Sequence, residues 1–539
     1  MDNEYISKLK AAIDHNWEEQ IATLGDMVAI PSVAGEAVTL QPGTPDEEEL
    51  PFGKEVHRVF SYALQKGHEM GFETQNVDNY GGHIEMPGEI LNEEGELIGT
   101  AEETMGIVGH LDVVPAGDGW SQDPFEMTLK LPTEAGAESA EAAESPNTDA
   151  ATAAADSTEA AADTAAAKSG DEPAGVLLGR GVLDDKGPVV ASLYAMKAIK
   201  DAGYTPRANV RLILGLDEET AWNGMHYYLD KVKQPDFGFT PDGDFPVIHG
   251  EKGILVFQLA KKLGRTSTEG LALRSLTGGM AANMVADNAR AVVLSKDKKV
   301  YEPIRDKAAR WKDEGRAEIS TKIIGKSLEI KVKGRPAHGS TPEKGVNAVS
   351  LLMRFLEDVS FNVDEVNDFI AFYNAHLGME TDGTSLGCSF EDEPSGKLVL
   401  NVGVAAVDQK TATLTVNIRY PVTMDGQQIY DAMRPVLNKY DIGVVKIKEQ
   451  QPIYKQADDP MIRTMMDIYQ AHTGDKESQP LVIGGGTYSR AFDNVVAFGA
   501  CFPWTNDKMH QADEELTLAD FRKMTLIFAD AIYRLAVAE

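Results

Sequence analysis

Cysteine is nearly absent from this 539-residue chain, which carries only Cys388 and Cys501. Two thiols so far apart in sequence exclude a disulfide scaffold and suit a reducing compartment, where they read as small apolar fillers. Positive charge is also scarce: 51 lysines and arginines stand against 85 acids, a net charge of −34. Such a field repels phosphate backbones and anionic lipid surfaces, so neither nucleic acid nor membrane is an expected partner. No apolar run approaches the roughly 18–20 residues that a membrane span requires. The start, MDNEYISKLKAAIDHNWEEQ, has no basic stretch followed by an apolar core, so a secretory signal is not expected and a cytoplasmic location is. Several catalytic signatures are missing as well. HEMGF at His68 lacks the second histidine of an HExxH zinc motif, and neither a P-loop nor a GxSxG elbow is present.

What is present is enough apolar residue, 42%, to build real cores over a length that calls for two domains or more. Ile6, Leu9, Ile13 and Trp17 recur at helical spacing, as do Val56, Val59, Phe60 and Leu64. Short strands are predicted around Ile84 and over Thr104–Gly109. A helix is expected over Val189–Ala202, ending at Gly203, and a nearly all-apolar strand over Ala208–Gly215. Strand, loop, helix and strand in that order spell an α/β domain. From about Ile254 to Pro452 the pattern alternates, as in SLEIKV at Ser327 and TATLTVNI at Thr411, with a helix over Asn347–Glu357. That reads as an α+β unit inserted into the first domain, with a buried strand at Val495–Phe498 returning to it. Between Pro132 and Gly175 there is no Val, Ile, Leu, Met or aromatic residue, and ten acids face one lysine. With nothing apolar to bury, residues 133–174 read as a disordered acidic loop.

Polar residues punctuate the ends of the predicted strands, where ligands gather in open α/β sheets. His110 and Asp112 stand in GHLDVVPAG, two residues apart, so that one can bind a metal while the other orients it. Asp184 and Asp185 in GRGVLDDKGP suit either helix N-capping or cation ligation. Asp217, Glu218 and Glu219 in GLDEET crowd a buried strand end and repel one another unless a cation or protons compensate. Asp242 in FTPDGDFP reads as a turn on its own, and His510 in MHQADE follows the last buried strand. Two histidines and several carboxylates at strand ends form a ligand list for a two-zinc hydrolytic site with a spare glutamate as base. The reading from the residues is a metallohydrolase.

In order, GHLDVVPAG, GRGVLDDKGP, GLDEET, PDGDFPVIHGEKG, RPAHGSTPEKGVNA, NIRYP, IGGGTYSRAF and MHQADE resemble the dizinc exopeptidase and deacylase family that includes aminoacylase, succinyl-diaminopimelate desuccinylase and the PepV-like dipeptidases. The resemblance covers nearly the whole chain apart from the acidic loop, where the family has a short hairpin connection. It implies an α/β fold: a mixed-sheet catalytic domain formed by residues 1–253 and 453–539, with an inserted α+β lid domain, 254–452. By resemblance His110 and Asp242 bind one zinc, Glu219 and His510 the other, and Asp184 bridges them. Asp112 sits behind His110, Glu218 is the general base, and His338 in PAHGS polarises the substrate carbonyl from the lid. Asn283 in AANMV and Arg419 in NIRYP match residues that contact substrate. The implied activity is hydrolysis of dipeptides by a metal-activated water with two Zn2+, for which Co2+ or Mn2+ are possible substitutes. The alternative is an N-acyl-amino-acid deacylase or desuccinylase with the same centre. Small peptides are the expected partners, and a monomer is favoured over a dimer.

Overall fold

A computed structural model of the chain describes residues 3–44, 47–91, 97–131, 174–264 and 269–538. The chain forms two compact units, one from Met1–Val247, Arg463–Gln479 and Thr487–Glu539, the other from Ile248–Ile462 and Pro480–Gly486.

The first unit is built on a mixed sheet. Its strands run in the order Glu73–Val77, Gly81–Met86, Asn209–Gly215, Thr104–His110, Phe237–Thr240 and Val495–Ala497. The last four are parallel, and Gly81–Met86 pairs antiparallel with both of its neighbours. Every residue of Thr104–His110 is buried, as a central parallel strand covered on both faces must be. On one face, Gly109 meets Val189 of the helix Lys186–Asp201, which packs with the helices Asn3–Val28 and Leu518–Ile532. On the other, Val108 and Ile213 join Met225, Tyr228 and Tyr488 in a second apolar cluster. The alternation of faces along the strand thus sorts its side chains between two helical layers.

The Lys186–Asp201 helix begins three residues before the Val189 start that apolar spacing predicts. Its first residue, Lys186, is fully buried and donates from Nζ to the carbonyls of Met27 and Ile30, at 3.0 and 2.8 Å. A lysine at the head of a helix carries no apolar periodicity, so the pattern does not register that turn.

The second unit is an eight-stranded antiparallel sheet in the order Glu318–Ile324, Ser327–Lys333, Asn288–Leu294, Ala272–Gly278, Val399–Val407, Thr411–Tyr420, Gly253–Lys262 and Gly443–Gln450. The helices Glu302–Asp313, Ala348–Leu356, Asp364–His376 and Gly426–Lys439 pack against it. Along Thr411–Tyr420 the residues Ala412, Leu414, Val416, Ile418 and Tyr420 are all inaccessible, one face of a strict two-residue period. Near its end the opposite face is buried too, at Asn417 and Arg419. The predicted helix 347–357 runs over Ala348–Leu356, with Asn347 as its N-cap accepting from the amides of Val349 and Ser350.

The acidic segment 133–174 lies, but for Ala174, outside the described residues. Thr128–Lys130 and Val176–Leu178 pair antiparallel, with Lys130 opposite Val176, so the segment's two attachment points are neighbours, as a hairpin requires. No described helix is long and apolar enough to cross a membrane.

Candidate metal centre and active site

The parallel register sets Gly215 level with His110, so the turn after one strand and the histidine ending the next reach the same edge of the sheet. Asp242 follows two residues beyond the strand Phe237–Thr240, at that same carboxyl edge. Asp184 arrives from the loop before the Lys186–Asp201 helix, and His510 from a segment beyond the last parallel strand. All five expected metal ligands belong to the first unit.

They converge as two groups that share one residue. His110, Asp184 and Asp242 form one group, and Asp184, Glu219 and His510 the other; within each, one ligand atom per residue lies within 4.8 Å of the rest. Asp184 Oδ1 is 3.0 Å from His110 Nε2, while its other oxygen, Oδ2, is 2.9 Å from His510 Nε2. Asp242 Oδ2 stands 3.8 Å from His110 Nε2, and Glu219 Oε1 stands 3.0 Å from His510 Nε2. One carboxylate thus offers one oxygen to each side, the disposition a bridging ligand needs.

The tautomer of His110 is fixed from behind. Its Nδ1 lies 2.9 Å from the Asp112 carbonyl oxygen, which can only accept, so Nδ1 carries a proton and Nε2 faces the carboxylates. Asp112 is fully buried, and its carboxylate accepts from the amides of Glu218 and Glu219, both at 3.1 Å. It therefore holds the turn bearing both glutamates against the strand end bearing His110. Gly109 is required beside it, because a Cβ there would fall 2.4 Å from Val189 and 2.7 Å from Asp185 Oδ2.

The charges in the cluster are unbalanced. Burial pushes Asp242 up to about 7, and the negative charge of Asp184 adds to it. Glu218 is raised well above the usual carboxylate range, first by burial and then, against the pull of His110, by Asp242, Glu219 and Asp184. His510 is pushed up to about 10 by its hydrogen bonds to Asp184 and Glu219. Burial opposes the charged form of His110, yet Asp112 and Asp184 outweigh it and hold the ring well above its ordinary value. Imidazoles squeezed between buried carboxylates are sites where a divalent cation takes the place of protons, so the donor set fits a pair of such ions. Each group offers one imidazole nitrogen and two carboxylate oxygens, with no thiolate. Glu218 belongs to neither group, which leaves its carboxylate available for proton transfer.

Two readings of the acids change on contact with the structure. Asp185 holds the N-cap position of its helix but makes no side-chain cap; its Oδ2 accepts instead from the His110 amide at 3.0 Å. Asp217 is not part of the cation cluster. Its two oxygens accept from the amides of Asn223 and Gly224, at 2.7 and 3.0 Å, at the start of the helix Asn223–Lys231. Those backbone donors favour the charged form without a metal, although burial, the larger influence, still pushes Asp217 up to about 6.

Sequence reasoning passes over Glu514. It is inaccessible, accepts from the amides of Gly181, Leu183 and Asp184, and pairs with buried Arg180 at 2.6 Å. Glu514 thereby ties the Asp184 loop to the segment that carries His510. Its only signal is an acid at the end of MHQADE, indistinguishable from the polar run around it.

The other three expected site residues lie in the second unit. Met284 forms an isolated antiparallel bridge with His338, and the carbonyl of Asn283 accepts from the Gly339 amide at 2.6 Å. The Ser340 amide donates to His338 Nδ1, at 3.2 Å, so Nδ1 presents a lone pair and Nε2 carries the proton. Partial burial, and then the charge of Arg419, hold this ring below the usual imidazole value, in its neutral form. Arg419 is buried, and its Nε donates to Asn417 Oδ1 at 3.0 Å.

The model of peptidase family M20/M25/M40 matches residues 155–534. The chain belongs to that family. Members of M20/M25/M40 use divalent metal, and this chain is a peptidase. It is 32% identical over 522 residues to "Putative dipeptidase YtjP" of Bacillus subtilis (strain 168), covering 96% of this chain and 97% of that one. It is also 32% identical, over 528 residues, to "Putative dipeptidase SAB1611c" of Staphylococcus aureus (strain bovine RF122 / ET3-1), covering 97% and 98%. The fold is shared with aminoacylhistidine dipeptidase from Vibrio alginolyticus, at 13% identity and a TM-score of 0.51 over 96% of this chain and 97% of that chain. The M20 fold accounts for the α/β class read from the sequence, a mixed sheet with a second α+β unit.

Proposed function

We propose that this M20 peptidase is a dipeptidase working with two zinc ions. Asp184 carries the reading, since its two oxygens face two separate imidazoles while Glu218 stands outside both groups. His110 and Asp242 would hold one ion, Glu219 and His510 the other, with Asp184 shared. Bound there, the ions supply Lewis acidity and make a water acidic enough to attack at neutral pH. Glu218, which stands outside both groups, is the carboxylate left to take the attacking water's proton and pass it to the leaving amine. Asp112 positions that base through the Glu218 and Glu219 amides and holds His110 in its ligating tautomer. The neutral Nε2–H of His338 is a donor for the carbonyl oxygen as negative charge develops there. Arg419 has the planar fork that pairs with a terminal carboxylate, and Asn283 supplies a further polar contact. The 254–452 segment would serve as the lid that carries these three residues. The dipeptidase names of two relatives aligned over nearly their full lengths support the substrate class.

The test is hydrolysis of a panel of dipeptides and N-acyl amino acids by metal-depleted protein resupplied with Zn2+, Co2+ or Mn2+. Release of free amino acids from dipeptides, restored by zinc, is the expected result. Preferential cleavage of succinyl or acyl amino acids would favour the deacylase reading instead.

A further inference from the structure

Asparagine fits poorly into the interior of a buried strand, yet two stand there side by side in the second unit. Asn401 of Val399–Val407 lies directly opposite Asn417 of Thr411–Tyr420. They are 2% and 1% exposed. Opposed residues project to the same face of a sheet, and Arg419, two residues beyond Asn417, shares that face.

Each asparagine hydrogen-bonds to, or to both neighbours of, a residue with an expected role in binding substrate. Asn401 Nδ2 donates to the carbonyls of Ala282 and Met284, at 3.0 and 2.8 Å, the two peptide oxygens that flank Asn283. An amide nitrogen has two hydrogens, and both are used on this one segment. The segment is in turn laddered to the His338 loop. Asn283 accepts from Gly339, Val285 donates to Ala337 at 2.9 Å, and Met284 bridges His338. Gly403 permits the close seating, because a Cβ there would lie 2.3 Å from the Ala281 oxygen and 2.5 Å from that of Ala282. On the neighbouring strand Asn417 Oδ1 accepts from Arg419 Nε.

We infer that the buried cross-strand pair Asn401 and Asn417 are positioning residues, Asn401 setting the place of Asn283 and His338 and Asn417 the direction of the Arg419 guanidinium. The inference deepens the proposed function and rests on its assignment of those three residues to substrate. Carbonyl polarisation and carboxylate binding make different kinetic demands, so the two asparagines have separable effects. Loss of the Asn401 tie shifts the donor that acts as the reaction proceeds and lowers kcat. Loss of the Asn417 tie lets the guanidinium turn away and raises KM.

The experiment measures kcat, KM, bound zinc and melting temperature for the zinc-loaded full chain with Asn401→Ala and Asn417→Ala, each alone and with His338→Ala or Arg419→Ala respectively. Displacements of about 1 Å cost up to about 100-fold in rate, so a fall of about tenfold in kcat for Asn401→Ala and a rise of about tenfold in KM for Asn417→Ala are expected. Zinc content stays at the parent level, and each effect shrinks below about twofold once the residue it positions is gone. Asn401→Ser, which keeps one donor, falls between parent and Asn401→Ala, and active-site titration corrects every value for folded fraction. Losses of equal size in both backgrounds, or losses that vanish on that correction, would overturn the inference. Turnover lost in His338→Ala beside unchanged Asn401→Ala would also overturn it, leaving the substrate-contact reading intact. A parent-like His338→Ala would overturn that reading and this inference together.

Discussion

Glu218→Gln is expected to abolish nearly all turnover while the protein keeps its full complement of metal. The substitution preserves the shape of the side chain and removes only its ability to accept a proton. General-base contributions of this kind amount to about 10²–10⁴-fold in kcat. Glu218 lies outside both metal-binding groups, so no ligand oxygen is lost. Its backbone amide continues to anchor the turn through Asp112, which the side-chain change does not touch. Glu219→Gln, one residue on, should behave differently. Its Oε1 faces His510 Nε2, and weakening it should empty one metal position before any effect on proton transfer can be read. Metal analysis and kinetics on both variants decide the matter. Retained zinc with lost turnover in Glu219→Gln, and lost zinc in Glu218→Gln, would exchange the two roles.

The second large effect is expected at Asp184. It is the one residue common to both groups, so Asp184→Ala should weaken both metal positions, whereas Asp242→Ala or His510→Ala should weaken one. The readout need not involve activity. A ligand that binds only the native state at about a thousand times its Kd adds about 4 kcal/mol of stability. The zinc-induced rise in melting temperature should therefore nearly vanish in Asp184→Ala and persist in part in the single-position variants. An undiminished zinc-dependent rise in Asp184→Ala would show that its two oxygens do not hold the ions.

The legible parts of the site share a physical cause. His110, Asp184, Glu219 and Asp242 interrupt or follow apolar strands, where an unpaired polar group is costly and so demands a reason, while exposed His510 was marked only by its place after the last strand. The strand Thr104–His110 and the helix Ala348–Leu356 were readable because apolar spacing matches the periods of strand and helix. Asp217 was not separable from Glu218 and Glu219, because its compensation comes from amides of a helix whose start the pattern does not mark. Glu514 and Arg180 form their buried pair across 334 positions of sequence, and local pattern carries no trace of such a contact. Asn401 and Asn417 escape the sequence pattern for a related reason: a lone polar residue in a strand gives no sign of which carbonyl or guanidinium it meets.

Anomalous diffraction from crystals of the zinc-loaded protein locates the metal outright. The expected result is two peaks about 3.5–4 Å apart. One should be bounded by His110, Asp184 and Asp242, the other by Asp184, Glu219 and His510, with Glu218 coordinated to neither. A single peak, or two peaks that do not share Asp184, would contradict the account.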